Sequence, residues 1–124
     1  MKSEYRIKIT LWIITIVVLI IGCVGNNFKN ITVIMGKRNY YENNTGEIIE
    51  AVFCELSDKS LHFVKLEMPD GKEYTLPQLL SGSGARYSDE REIEFWIKGN
   101  NATIKKRNID GEFEIVSEVH IKNE

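Results

Sequence analysis

From Glu47 onward, apolar and polar residues alternate in short runs separated by turn residues, which is the period of half-buried strands and not of a helix. Ile48 to Glu55 is rich in Ile, Val and Phe, and Leu61 to Met68 follows as one run. Pro69-Asp70-Gly71 marks a turn before Lys72 to Leu76. Glu92 to Lys98 and Ala102 to Arg107 flank Gly99-Asn100-Asn101, and Glu112 to Ile121 alternates beyond Asp110-Gly111. Runs at this spacing predict an all-β domain, an antiparallel barrel or a sandwich. Closure would remove the free strand edges that invite aggregation.

The N-terminus departs from this pattern. Lys2, Arg6 and Lys8, against Glu4, precede an uncharged run from Ile9 to Ile21 that leads into Gly22-Cys23. The layout is that of a signal peptide, since a spanning helix needs about 20 apolar residues. Counting on through Val24 and Gly25 lengthens the run, so an uncleaved anchor and a plain secretory signal stay open beside it. Gly22 directly before Cys23, after branched aliphatics, resembles the lipobox of bacterial lipoproteins. In such proteins a diacylglyceryl group is attached to the thiol before cleavage. On that reading 1–22 is a lipoprotein signal peptide, Cys23 the lipidation site, 23–46 a flexible tether and 47–124 the folded domain. The tether is rich in Asn, Lys and Gly, and its apolar island Ile31 to Met35 has an alternative reading as an edge strand.

Length and charge narrow the function classes. With 124 residues, about 100 of them after the leader, the chain holds one modest core and no second domain. The 16 basic and 18 acidic residues give −2, and without the first 22 residues 13 basic stand against 17 acidic, or −4. A mildly acidic domain disfavours nucleic acid, which calls for a basic patch. Enzyme signatures are missing: His62 and His120 are isolated, no cysteine pair has metal spacing, and no Gly-rich loop precedes a helix. Neither a metal nor another cofactor is expected. If Cys23 carries lipid, Cys54 is alone, and its place in the alternating AVFCE run makes it a small buried residue.

The remaining candidates lie in Leu80 to Asp89, LSGSGARYSD, and Glu94 to Gly99, EFWIKG. Ser83 sits between Gly82 and Gly84, where the backbone can turn tightly and no bulky neighbour hides the hydroxyl. Ile93, Phe95 and Ile97 alternate with Glu94, Trp96 and Lys98, so Lys98 points away from the apolar face. A hydroxyl and an ammonium on adjacent elements suit the engagement of carboxylates. Lys105, Lys106 and Arg107 read as a solvated charge run.

The ordered motifs SGSGARYSD and FWIKG, with AVFCE upstream and NNATI downstream, resemble the bacterial inhibitors of c-type lysozyme, the membrane-bound MliC and periplasmic PliC proteins. The likeness covers roughly Ala51 to Lys106. It implies a small antiparallel β-barrel of about eight strands, without enzymatic activity. It also implies a lysozyme-binding surface of Ser83, Lys98, Gly82, Gly84, Ala85, Arg86 and Tyr87, with Ser83 on the catalytic carboxyls and Lys98 on the ionised one. Arg86 has a second reading as a brace beneath the loop, and Tyr87 as a packed ring. The partner would be a c-type lysozyme, met outside the cytoplasm by a protein anchored through its lipidated cysteine, and a homodimer stays open. An envelope lipoprotein of the same fold that binds another peptidoglycan-cleaving enzyme or a glycan is the alternative. Three departures bear on potency. The C-terminal stretch lacks the cysteine that pairs with the Cys54 position in many members, Gly82 replaces the usual Ala, and the Ser83-to-Lys98 spacer is one residue longer through SDEREIE. The longer spacer leaves the relative placement of the two groups open, and together with the looser Gly82 loop it carries the expectation of weaker inhibition than a typical member.

Overall fold

The computed structural model describes residues 2–21 and 30–123. It divides into two units, Met1–Asn30 and Ile31–Glu124. In the first, the aliphatic run forms helix α1, Lys2–Ile21. Lys2, Glu4, Arg6 and Lys8 occupy its opening turns. Among the described residues no helix is long and apolar enough to cross a membrane. Cys23 lies outside the described residues.

The second unit is built from β1 (Val33–Asn43), β2 (Ile48–Leu56), β3 (His62–Glu67), β4 (Glu73–Leu79), β5 (Ala85–Ser88), β6 (Ile93–Lys98), β7 (Asn101–Arg107) and β8 (Phe113–Ile121). Each strand pairs antiparallel with the next, and β1 returns to β8 to close the barrel. Alternation decides what goes inside: Ile49, Val64, Leu66, Leu76, Ile93, Phe95 and Ile104 lie on inward positions and are almost fully buried. Tyr41 meets Phe95 edge-on, with ring centroids 5.4 Å apart. Each such side chain contributes roughly 1.5–3 kcal/mol on burial. Among the described residues Cys54 is a free, buried thiol packed with Val52 and Phe63 in a second small cluster.

Two strands were not visible as apolar runs. The expected tether 23–46 gives way to β1 over Val33–Asn43, so the folded unit begins well before residue 47. The reason is that β1 buries little but Tyr41, and most of its length is held through backbone pairing to β2. It is also no edge strand, because Tyr41, Glu42 and Asn43 pair with Ile121, His120 and Val119. The other missed strand is the four-residue β5, too short for a periodic signal.

Since each strand reverses the last, the β2–β3, β4–β5 and β6–β7 connections gather at one end of the barrel. The start of β1 is at the same end, where Ser57 N–H donates to Thr32 O at 2.9 Å.

Candidate functional site

The β4–β5 connection, residues 80–84, holds Ser83, and the adjacent β6–β7 hairpin begins with Lys98. Their relation is fixed by the β5–β6 ladder, in which Ala85 faces Ile97, Arg86 faces Trp96, Tyr87 faces Phe95 and Ser88 faces Glu94. Gly84 then lies directly against β6. Its φ is +67°, and a Cβ built there would stand 2.1 Å from Ile97 O and 3.0 Å from Lys98 Cγ. Only glycine permits both that conformation and that approach. Between Ser83 and Lys98, residues 89–92 form the β5–β6 turn at the opposite end of the barrel. The relative placement of Ser83 and Lys98 in this chain is set by the β5–β6 ladder.

The Ser83 carbonyl is held by two donors, Ser81 Oγ at 2.6 Å and Trp96 Nε1 at 2.9 Å. Its hydroxyl is exposed and takes no hydrogen-bond partner among the described residues. Lys98 is likewise exposed, and its Nζ sits 4.1 Å from the centroid of the Trp96 ring with no acidic partner among the described residues. Such a contact is worth about 0.5–1 kcal/mol at an exposed site, so it orients the ammonium without neutralising it. A groove of about 380 Å³ runs from Lys98 past Trp96 to Lys105 and Ile115.

Beneath this surface Glu94 is buried on the outer face of β6, at 3% exposure. Arg86 Nε lies 2.6 Å from one of its carboxyl oxygens and Lys105 Nζ 3.0 Å from the other. Burial alone would raise the Glu94 carboxyl, but the hydrogen bonds and charges of Lys105 and Arg86 outweigh it and hold the group below its ordinary range. A depressed folded pKa contributes stability that is present above the unfolded value and is lost as pH falls through the folded one. The thermal midpoint is therefore expected to drop on acidification below about pH 4. Asp89, lowered because backbone N–H bonds from Glu92, Arg91 and Ile93 outweigh its burial, adds to the drop. Glu94→Gln should reduce the midpoint at neutral pH and make its acid-induced fall shallower; a fall as steep as the wild type's would remove Glu94 as a main contributor.

Ala85, Arg86 and Tyr87 stand in the sequence-derived surface with a second reading of Arg86 as a brace and Tyr87 as a packed ring, and in the free chain they lie lower than the loop. Ala85 is half-buried against the core and Tyr87 is 7% exposed within it. Arg86 spans Glu94 as a brace. Of the sequence-derived residues, Ser83 and Lys98 are the exposed polar ones, with Gly82 and Gly84 exposed beside them. Nor is the 105–107 run simply solvated: Lys105 pairs with Glu94, and Arg107 donates to the carbonyls of Arg91, Glu90 and Gly111. Trp96 is the residue that sequence reasoning undervalued. Its outward position beside Lys98 was legible, but its bond to the loop depends on how the loop folds back. Among the described residues no cluster of three or more His, Cys, Asp or Glu is placed to hold a metal ion.

The described residues form a small closed barrel that presents the Ser83 loop and the exposed Lys98 ammonium at one end. The family model described as membrane-bound lysozyme-inhibitor of c-type lysozyme matches residues 41–112, more than half of the chain. The chain belongs to this family. A curated relative, the membrane-bound lysozyme inhibitor of C-type lysozyme of Yersinia enterocolitica serotype O:8 / biotype 1B, is 51% identical over 37 residues. That match spans 30% of this chain and 31% of the relative's length. Among solved structures, Pseudomonas aeruginosa MliC in complex with hen egg white lysozyme aligns with a TM-score of 0.56 at 16% identity, covering 76% of this chain and 88% of that one. This likeness carries the fold.

Proposed function

We propose that the chain is an inhibitor of c-type lysozyme, anchored outside the cytoplasm by a lipid on Cys23 after removal of residues 1–22, and protecting the peptidoglycan of the cell that makes it. It is a binding protein and not an enzyme. The observation that supports this reading most is the pairing of an exposed Ser83 hydroxyl and an exposed Lys98 ammonium, both without polar partners among the described residues, on one braced end of a barrel of this family.

Glycoside hydrolases of the lysozyme type carry one protonated carboxylic acid and one ionised carboxylate around the scissile bond. A hydroxyl can donate to the ionised group or accept from the protonated one, so Ser83 suits either state. Lys98 supplies the charge that an ionised carboxylate needs once water is excluded. With Gly82 and Gly84 flanking Ser83, the 80–84 loop is narrow enough to enter a substrate cleft. Inhibition is then competitive occlusion, with no covalent step. The acidic balance of the mature chain favours encounter with a basic lysozyme and acts mainly on the association rate.

The test is a turbidity assay of bacterial lysis by a c-type lysozyme, with the full chain purified in a mild non-ionic detergent. Stoichiometric protein is expected to slow lysis. Undiminished lysis at a large molar excess would remove the reading.

A further inference from the structure

We propose that Trp96 is the positioning residue of the plug, fixing the Ser83 hydroxyl and the Lys98 ammonium relative to one another, so that its effect on affinity passes through them. This rests on the lysozyme reading above. The indole has a single donor, and it is spent on the Ser83 carbonyl at 2.9 Å. Its ring carries Lys98 Nζ at 4.1 Å. Among the described residues Trp96 is the side chain in contact with both residues, through the Ser83 backbone carbonyl and the Lys98 ammonium.

Trp96 is itself held firmly. Its backbone lies between partners on both sides, Arg86 of β5 and Thr103 of β7. Lys105 Nζ lies 5.0 Å from the ring centroid and is tied in turn to the buried Glu94, which Arg86 also holds. One ion-pair network therefore supports the ring, and the ring supports both contact groups. Without it, a serine between two glycines would keep only the local Ser81 Oγ bond to its carbonyl, and the long lysine side chain would lose its ring, so more of the ordering would fall to the partner, an entropic cost that lowers affinity. A contact residue would act independently of Ser83 and Lys98. A positioning residue must show coupling to them, and the coupling must divide by chemistry, the N–H with Ser83 and the ring face with Lys98.

The experiment measures inhibition constants against a c-type lysozyme for the full chain in detergent, across Trp96→Phe, Trp96→Leu, Ser83→Ala, Lys98→Ala and the four double variants. Trp96→Phe keeps an aromatic face and removes the N–H. It is expected to weaken inhibition about tenfold, the size of one contact that the displaced Ser83 hydroxyl no longer makes with the partner. In its background the Ser83→Ala effect should shrink from about tenfold to less than about threefold, while the Lys98→Ala effect stays at its wild-type size. Trp96→Leu, which also removes the face, should diminish both effects. If Trp96→Leu does not fold, the Phe cycle alone decides. Additive effects of Trp96→Phe and Ser83→Ala, or wild-type inhibition by Trp96→Phe, would overturn the proposal. A wild-type chain that fails to inhibit overturns the lysozyme reading and this inference together. An inhibitor that depends on Ser83 and Lys98 but shows additive cycles overturns only the inference.

Discussion

Gly84→Ala is expected to weaken inhibition of a c-type lysozyme by roughly 100-fold, about 3 kcal/mol, and to lower the thermal midpoint of the barrel. The φ of +67° costs an alanine about 1–2 kcal/mol. The added Cβ would also overlap Ile97 O at 2.1 Å. Ile97 O is backbone within a strand paired on both sides, so the loop must move instead. That movement pulls Ser83 away from Trp96 and shifts Lys98, whose Cγ is the next atom met at 3.0 Å. Gly82 is the internal control, because a Cβ there meets nothing within 4 Å. Gly82→Ala restores the residue usual in the family and should inhibit as well as the wild type or up to about 1 kcal/mol better, by reducing the freedom of the unbound loop. Equal inhibition by Gly84→Ala and the wild type would mean that the loop's shape is irrelevant to binding.

Lys98→Ala should be comparably damaging through a different cause, with the fold intact. Removing one partner of a desolvated, hydrogen-bonded charge pair costs about 2–5 kcal/mol, much of it from the carboxylate left unpaired. Ser83→Ala removes a smaller contact, about 1–3 kcal/mol. Both side chains are exposed in the free protein, so neither variant should shift the thermal midpoint appreciably. Inhibition constants measured beside melting curves separate this from Gly84→Ala, which should alter both. Full affinity in both Ser83→Ala and Lys98→Ala would sink the loop-plug mechanism.

The parts of the fold legible in the sequence were those where burial imposes period two. The runs around Ile49, Val64, Phe95 and Ile104 mark strands because every second residue enters the core. β1 left no such trace, since backbone pairing to β2 holds it while most of its side chains face solvent. The exposure of Ser83 and Lys98 was readable from their types and neighbours. Their bracing was not, because it joins distant positions: Trp96 to Ser83, and Glu94 to Arg86 and Lys105. A long-range hydrogen bond has no period, and a buried glutamate on an outward strand position reads as solvated until its two cations are found above it.

The central claim is that the 80–84 loop and Lys98 occupy the catalytic cleft of a c-type lysozyme. Steady-state kinetics on a soluble chitooligosaccharide substrate test it most directly, with the full chain titrated in detergent and initial rates followed at several substrate concentrations. Occlusion of the cleft requires the apparent KM to rise in proportion to inhibitor while kcat stays constant. A fall in kcat at unchanged KM, or no effect at all, would contradict the account.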